Sequence, residues 1–328
     1  MTGRACLAVI AISAALAAGC ATGGALDPAF CRGEMKSLVQ RLAAWSRGRS
    51  PGFLIVPQNG HDLLTVDGDP DGPLDAGYVG TIDGLGREEL NYGYDGDGVP
   101  TPADERARME RFLDRLRAAG RPVLVIDYCN DGSCAEDAVA RAEARGYLEF
   151  AADHRQVDDI PRWAQQPRRA FDGPVRRLAD ARNFLYVLNL SKLGDRTRAL
   201  ATLQSVPHDV LVIDPDVDGV PLTRDEVASL RRKPGGGRRL VLAYVSIGEA
   251  ERYRPYWNPS WDRSPPRWLA DENPRWPGNY KVRYWDRAWQ SLVFGEQGSE
   301  LQRIIDAGFD GAWLDVVDAY EFFERDEE

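Results

Sequence analysis

The chain has 328 residues, with 41 Lys and Arg against 51 Asp and Glu, and a formal net charge of −10. Its 43% hydrophobic content excludes a disordered chain, and its length is enough for two average domains or for one α/β barrel of about 250 residues. The negative balance argues against nucleic acid as a partner, because phosphates need a basic surface. With three His and no Cys-x-x-Cys pair, we predict neither a metal site nor a cofactor.

The N-terminus has the pattern of an export signal. Residues 5–18 are almost wholly small or apolar and follow Arg4, and the stretch is too short to span a bilayer comfortably. It ends in the sequence AAGC at 17–20, which resembles a bacterial lipobox. We therefore predict a signal peptide over 1–19 and a lipid anchor on Cys20; ordinary signal cleavage near this site is the alternative. The protein is then an exported lipoprotein of the periplasm or the cell surface, or is otherwise secreted.

Export implies an oxidising compartment, in which the remaining cysteines can pair. These are Cys31, Cys129 and Cys134, and the last two flank a four-residue turn. A disulfide that closes this turn fits the spacing, but the sequence alone leaves the pairing open.

Eight short apolar runs, each closed by a polar residue or Gly, predict buried parallel strands. The clear runs are 53–56, 123–126, 210–213, 240–245 and 312–317. The weaker runs are 78–82, 147–151 and 184–190. Alternation of strands with helical patterns predicts a parallel sheet, because a helix must carry the chain back to the start of the next strand.

Helical patterns lie between most of these runs, at 35–45, 102–119 and 299–307. The sequences Ser133-x-x-Glu136 and Thr223-x-x-Glu226 fit capping boxes. Eight units favour a single closed (β/α)₈ barrel over 35–328, with a doubly wound sheet as the alternative. We interpret 20–34 as a flexible tether and 153–181, which is interrupted by Pro and Gly, as a linker.

Polar side chains follow the predicted strands, and most are carboxylates. They are Gln58, Asn59, Asp83, Asp127, Tyr128, Asn189, Asp214, Asp216, Ser246, Glu249, Glu251, Asp315 and Asp318. In (β/α)₈ barrels the reactive groups lie at these strand ends. An acidic rim favours glycoside hydrolysis, in which one carboxyl donates a proton and a second acts as base or nucleophile.

Two further patterns bear on the site. Six of the nine Trp fall between 257 and 289, where their rings can stack on sugars or can pack a long loop onto the barrel. The sequence DPDVDG at 214–219, with Asp225 at the twelfth position, imitates a calcium loop, which would make the protein a calcium-stabilised scaffold. Leu222 at a usual ligand place and the absence of a final Glu favour an acidic turn before a helix instead.

Three long motifs carry a family resemblance: LAYVSIGEAERYRPYW at 242–257, WPGNYKVRYW at 276–285 and GFDGAWLDVVDAY at 308–320. Together they resemble the (β/α)₈ proteins related to endo-α-1,4-polygalactosaminidases, glycoside hydrolase family 114. In that family the blocks at 242–257 and 308–320 come before the one that resembles residues 57–60. The resemblance therefore implies a circular permutation, in which 153–181 joins the family's original termini and the tether enters near the active face.

The resemblance also implies roles for individual residues. Asp315 matches the acid of the family's Leu-Asp-x-x-Asp strand and is our first catalytic candidate, with Glu251, and then Glu249, as its partner carboxylate. The predicted substrate-binding residues are Asp214, Ser246, Tyr244, Asp318, Tyr320, Trp313, Gln58, Asn59, Asp83 and Trp285. Trp313 stands where the family's enzymes carry Glu.

The resemblance implies endo-hydrolysis of an α-1,4-linked galactosamine-containing polysaccharide, and an acidic cleft would attract such a cationic amino-sugar chain. Because of Trp313, the alternative is a non-catalytic carbohydrate-binding lipoprotein on a degenerate barrel. We expect a monomer that contacts a membrane only through its lipid anchor.

Overall fold

The computed structural model describes residues 25–325 of the chain. The predicted signal peptide and the predicted lipid attachment site, Cys20, lie outside this range. Of the helices within it, none combines the length and the apolar character that crossing a bilayer requires.

Eight parallel strands form the centre of the described chain. Their residues are almost continuously buried, as expected for strands that are covered on both faces. They are β1 (Leu54–Pro57), β2 (Leu85–Glu88), β3 (Val123–Tyr128), β4 (Leu148–Ala152), β5 (Leu185–Val187), β6 (Val210–Ile213), β7 (Leu240–Ser246) and β8 (Gly311–Asp315).

The strands pair in two parallel sheets, with the orders β5-β6-β7-β8-β1 and β2-β3-β4. The last strand pairs with the first, and Leu54 lies opposite Gly311. An isolated parallel bridge between Gln58 and Gly86 joins the two sheets. The strands therefore follow the order β5-β6-β7-β8-β1-β2-β3-β4, a cyclic permutation of their order in the chain, and between residues 25 and 325 no strand pairing joins β4 to β5. We call this gap the seam.

Helix α1 (Pro28–Arg49) precedes β1 and helix α9 (Tyr320–Glu324) follows β8. Consecutive strands are connected by helices everywhere except at the seam, namely α2 (Ala76–Thr81), α3 (Ala103–Ala118), α4 (Gly132–Arg145), α5 (Arg196–Ser205), α6 (Arg224–Leu230), α7 (Arg287–Val293) and α8 (Glu300–Ala307). Between β4 and β5 the chain forms only two short 3₁₀ turns, Arg162–Ala164 and Leu178–Asp180. This agrees with a segment of 153–181 that carries no strand.

One predicted strand is wrong. The run at 78–82 belongs to helix α2, whose first turn is capped by the Asp75 carboxylate, 3.0 Å from the Tyr78 amide. The strand of this unit is β2, a few residues later. Its sequence, LGRE, has too little apolar character for a pattern search to find. Gly86 is needed there, because a Cβ atom would lie 2.2 Å from the ring of Trp313.

One of the two predicted capping boxes is confirmed. Thr223 and Glu226 bond reciprocally at the start of α6. The box predicted at Ser133 is wrong, because Asp131 caps α4 and accepts hydrogen bonds from the amides of Ser133 and Cys134, both at 2.9 Å. Asp131 lies in the turn that is closed by the disulfide between Cys129 and Cys134, whose Cα atoms are 5.4 Å apart.

The first helix begins at Pro28, inside the range predicted as a tether. The Leu26 amide donates a hydrogen bond to the Phe323 carbonyl at 2.8 Å, and Arg32 pairs with Glu324. Both partners lie on or next to α9, which follows the C-terminal end of β8. The chain therefore enters at the end of the sheet where the strands finish.

A small antiparallel sheet covers one side of that end. It consists of Glu249–Glu251, Leu269–Glu272 and Asn279–Val282, and we call it the rim sheet. Around it Trp257, Trp261 and Trp268 pack on one another edge to face. Most of the tryptophan-rich segment therefore serves packing, the alternative that the sequence left open.

Candidate active site

A cavity of about 450 Å³ opens where the parallel strands end. The ends of all eight strands, or the loops that follow them, contribute to its lining. We call it the mouth cavity. Eight of the predicted site residues line it: Gln58, Asn59, Asp214, Tyr244, Glu249, Glu251, Asp315 and Asp318.

Asp315 is the last residue of β8. Its carboxylate accepts hydrogen bonds from Gln58 Nε2 at 2.9 Å, from the Tyr244 hydroxyl at 2.6 Å and from the Val316 amide at 2.8 Å. Burial, and then the neighbouring charge of Glu88, raise the pKa of Asp315 well above its usual range. The site thus favours a protonated carboxyl, although three donors hold it in place.

Glu88 is the last residue of β2 and was missed by the sequence analysis. Its carboxylate accepts hydrogen bonds from the Tyr128 hydroxyl and from Asn59 Nδ2, the latter at 3.1 Å. Burial raises the pKa of Glu88, and the charge of Glu89 raises it further. Across residues 25–325, neither Glu88 nor Asp315 forms an ion pair with Lys or Arg. Their side-chain support comes from neutral donors, the hydroxyls of Tyr244 and Tyr128 and the amides of Gln58 and Asn59.

Glu251, the preferred partner carboxylate, is bound by a cation. Arg254 Nε donates to it at 2.6 Å and the Tyr253 hydroxyl at 2.7 Å. Burial still raises the pKa of Glu251, although the charge of Arg254 opposes the rise. The Glu251 carboxylate therefore forms an ion pair with the Arg254 guanidinium.

Arg254 is the centre of a three-carboxylate cluster. Besides Glu251 it contacts Asp214 at 2.7 Å and Asp216 at 3.0 Å. Asp214 also accepts a hydrogen bond from the Asn189 amide at 2.8 Å. The cluster ties the loops that follow β5, β6 and β7 together. Two acids of the calcium-like sequence at 214–219 therefore point at a guanidinium.

Glu249 is held in the same way on the rim sheet. It pairs with Lys281 at 2.6 Å and accepts hydrogen bonds from Asn273 at 2.8 Å and Asn279 at 3.2 Å. Both sequence-predicted partner carboxylates are thus neutralised by a nearby cation, whereas the pair of Asp315 and Glu88 is not.

Trp313 lies fully buried beneath the mouth cavity. Its indole Nε1 donates to Gln58 Oε1, and its ring lies 5.5 Å from that of Tyr186 and 6.1 Å from that of Phe184. Because Trp313 occupies the amide oxygen of Gln58, the amide nitrogen is directed at Asp315. Trp313 therefore acts as a positioning residue for the Gln58 amide.

Four further predicted residues do not line the mouth cavity. Ser246 exchanges hydrogen bonds with the backbone of Glu249, and Trp285 packs at 5.5 Å from the ring of Phe30. Tyr320 is buried and donates to Asp62. These three support the framework around the cavity.

The fourth residue, Asp83, lies at the opposite end of the sheet, which contradicts its predicted place at the mouth. It precedes β2 and accepts hydrogen bonds from the Ile55 amide and from Arg47, both at 2.8 Å. The cause is the misplaced strand. Since 78–82 is a helix, Asp83 comes before a strand rather than after one.

Residues missed by sequence reasoning complete the rim. Arg155 follows β4 and pairs with Glu89 at 2.6 Å. Trp276 and Tyr253 line the cavity with 40% and 60% of their surface exposed, and the guanidinium of Arg254 lies over the Tyr253 ring at 5.1 Å from its centroid. Ring surface of both residues is therefore open to a ligand. Trp276 lies in the motif at 276–285 and is one of the six Trp between 257 and 289. That cluster was the sequence pattern from which its place at the cavity could have been predicted.

The lining is acidic overall. Seven carboxylates face four cations: Glu88, Glu89, Asp214, Glu249, Glu251, Asp315 and Asp318 against Arg155, Arg254, Arg275 and Lys281. The Asp318 carboxylate forms no hydrogen bond or ion pair with another residue of the described chain. Burial raises the pKa of Asp318, while the charges of Lys281 and Arg87 lower it. Its carboxyl is open to the cavity.

Comparison with known proteins identifies relatives for part of the chain. The model of glycoside-hydrolase family GH114 matches residues 166–328. An uncharacterized protein of Deinococcus radiodurans is 43% identical over 123 residues, 37% of each chain. Uncharacterized proteins of Thermotoga maritima and Methanocaldococcus jannaschii are 48% identical over 124 residues and 36% identical over 155 residues. These segments cover 38% and 43% of this chain, and 37% and 42% of the relatives.

Proposed function

Because residues 166–328 of the chain belong to glycoside-hydrolase family GH114, we propose that the protein is an endo-acting glycoside hydrolase with Asp315 and Glu88 as its catalytic carboxyl groups. The observation that carries the proposal is that these two carboxyls share one cavity and lack a cation partner in the described chain. Gln58 holds one and Asn59 the other, both by side-chain amide donors. Two-carboxylate glycosidases need such a pair.

The two carboxyls act as a unit with one shared proton. Both are buried, and the charge of Glu88 raises the pKa of Asp315, so that the pair keeps a proton at a pH where isolated carboxyls are ionised. The protonated member donates to the glycosidic oxygen as the bond to the anomeric carbon breaks. The ionised member acts as nucleophile, or as the base that takes a proton from the attacking water.

The substrate that we propose is an α-1,4-linked galactosamine-containing polysaccharide. The resemblance to polygalactosaminidases points to this polymer, and the acidic lining of the mouth cavity supports a cationic sugar. Asp318 is the carboxyl best placed to pair with a sugar ammonium, because no residue of the described chain occupies it. The exposed rings of Trp276 and Tyr253 offer faces for stacking on neighbouring sugars.

We also propose that the eight strands form a closed, circularly permuted (β/α)₈ barrel. The β8–β1 pairing and the cyclic strand order support closure, as does the 6.1 Å separation of the Phe150 and Phe184 rings across the seam. The family match begins at residue 166, within the segment 153–181, and covers β5–β8. If β1–β4 correspond to the last four strands of the family, a model that keeps the family's strand order can match β5–β8 alone.

We propose that in the cell the protein is an exported monomer, anchored through a lipid on Cys20, with the mouth cavity near the anchor. The signal-like sequence at 1–19 and the entry of the chain beside α9 support it. The competing proposal is a non-catalytic carbohydrate-binding lipoprotein. Trp313, which stands in place of an acid, favours it, and the presence of Glu88 opposes it.

Reducing-end release from a partially de-N-acetylated galactosamine polymer tests the proposal. The wild type and the exposed-loop control Glu296→Gln should release reducing ends, and Asp315→Asn should not. Polymer binding without release by the wild type would favour the non-catalytic barrel. If the wild type neither releases reducing ends nor binds the polymer, this polymer is excluded as the substrate.

A further inference from the structure

A contiguous apolar patch lies where the described chain begins. The ring of Phe30 packs edge to face on Trp285, with the ring centroids 5.5 Å apart. Trp285 packs on Phe323 in the same way, and Phe323 packs on Phe322, both at 4.9 Å. The amide of Leu26 donates to the Phe323 carbonyl, which brings a fifth apolar side chain to the group. We call these five residues the entry patch.

The entry patch is exposed to water and is fixed to helix α1. Three of its members, Leu26, Phe30 and Phe322, have 37%, 43% and 37% of their surface exposed. The buried ring of Tyr284 packs on the indole ring of the patch at 4.9 Å, and the Tyr284 hydroxyl donates to the Cys31 carbonyl at 2.8 Å. Single exposed apolar residues are ordinary on protein surfaces, whereas a joined group of this kind marks a contact surface.

The tether keeps the entry patch close to the proposed lipid anchor. From Cys20 to Ala25 the chain has 25 − 20 = 5 steps between Cα atoms, which span at most about 18 Å when fully extended. A lipid on Cys20 places that residue at the bilayer surface, so the patch begins within this reach of the headgroups whatever path the tether takes. Even a weak surface contact is then populated, because the tether makes it an intramolecular event.

The chemistry of the entry patch fits a bilayer surface. Phe and Trp are typical of the protein surfaces that enter the boundary between headgroups and acyl chains. The exposed charges of segments 25–30, 283–287 and 321–325 nearly balance, and they are Asp27 and Glu321 against Arg283, Arg287 and Arg325. The contact therefore needs no anionic lipid. We infer that the entry patch inserts into the surface of the membrane that holds the Cys20 lipid, an inference that rests on the proposed anchor.

Quenching of tryptophan fluorescence by bromine tests the inference. The protein is produced from the full chain and bound to phosphatidylcholine vesicles whose acyl chains carry bromine near the headgroups. The wild type should be quenched, and Trp285→Phe should lose most of that quenching. The matched control is Trp45→Phe, which changes another half-buried ring of the same face-to-edge type, 45 − 30 = 15 residues after Phe30 and about 22 Å farther along α1. It should be quenched as the wild type is.

A second pair of variants separates the patch from the lipid. Phe30→Ser combined with Phe322→Ser removes two exposed rings, so this variant should stay on the vesicles through its lipid but lose the quenching of Trp285. Val220→Ser removes a side chain that is 59% exposed in the hairpin 216–221, and it should behave as the wild type does. The melting temperature of each variant reports on folding.

Mass spectrometry of the N-terminal peptide distinguishes a failed patch from a failed anchor. Quenching of Trp285 in a chain whose Cys20 carries lipid supports both, and the same quenching in a chain without lipid supports the patch and overturns the anchor. A lipidated chain in which Trp285→Phe is quenched as much as the wild type, or in which the double serine variant keeps its quenching, overturns the patch. A chain that is neither lipidated nor quenched overturns both.

Discussion

Acids in and beside the mouth cavity form two groups that differ in their hydrogen-bond partners: one group pairs with cations and the other with neutral donors. On the β6–β7 side, Asp214, Asp216 and Glu251 surround one buried guanidinium, and Glu249 pairs with Lys281. On the β8–β1–β2 side, Asp315 and Glu88 are held by amides and hydroxyls. A carboxylate paired with a cation is stabilised as an anion, whereas burial raises the pKa of a carboxyl that only neutral donors hold. The first group therefore fixes the loops, and the second group is suited to chemistry.

The largest effect is expected from Asp315→Asn, which removes a proton-transfer group. We expect kcat to fall by about 10²–10⁴-fold. Because the pKa of Asp315 in the folded protein lies above its ordinary value of 3.8, its contribution to stability is present at low pH and is lost as the pH rises. Asparagine should therefore be at least as stable as aspartate at pH 7, as a melting curve can measure. A variant that is inactive and also less stable would indicate a structural role.

Arg254→Met probes the cation-paired side. It leaves three buried carboxylates without their shared partner, and we expect the free energy of unfolding to fall by about 3–5 kcal/mol in urea denaturation. The matched control is Arg252→Met, which removes an exposed pair with Asp262 at 2.7 Å and should cost about 0–1 kcal/mol. Equal losses in the two variants would remove the distinction between the two sides of the cavity.

The pH dependence of kcat/KM sharpens the comparison. With both pKa values of the Asp315–Glu88 pair raised, activity should rise as the pair loses its first proton and fall as it loses the second, and both limbs should lie above the range of isolated carboxyls. In Glu88→Gln, the pH profile of the residual kcat/KM should keep only one of these two limbs. A profile that still rises and falls in this variant would exclude Glu88 from the titrating pair.

The smallest effect is expected from Asp318→Asn. If the open carboxyl pairs with a sugar ammonium, KM for the de-N-acetylated polymer should rise by about 5–10-fold with little change in kcat. KM for the fully N-acetylated polymer should stay the same, since an amide carries no charge. An equal rise for both polymers would give Asp318 a role unrelated to the amine.

The sequence was sufficient where strands are long and apolar, and it failed where a strand is short and polar. Strands such as β3, β6 and β7 were predicted within a residue or two, because unbroken Val, Ile and Leu runs have few alternatives. Strand β2, with Gly86 and Arg87 in its four residues, was not. That single error put Asp83 at the mouth and hid Glu88.

For a related reason, the sequence did not show which carboxyls of the cavity pair with a cation. Arg254 lies three residues after Glu251, a spacing that allows a contact, but its links to Asp214 and Asp216 depend on two loops meeting in space. Likewise the hydrogen bond from Trp313 to Gln58 joins residues 255 positions apart. Sequence order does not carry such contacts.

The most direct test of the account is kcat for Glu88→Gln beside kcat for Glu251→Gln on the galactosamine polymer. Both variants exchange a buried glutamate of the same cavity for its neutral isostere. The account predicts a loss of about 10²–10⁴-fold for Glu88→Gln and less than about tenfold for Glu251→Gln, since Glu251 pairs with Arg254 whereas Glu88 has no cation partner in the described chain. A large loss in Glu251→Gln together with near-normal turnover in Glu88→Gln would contradict it.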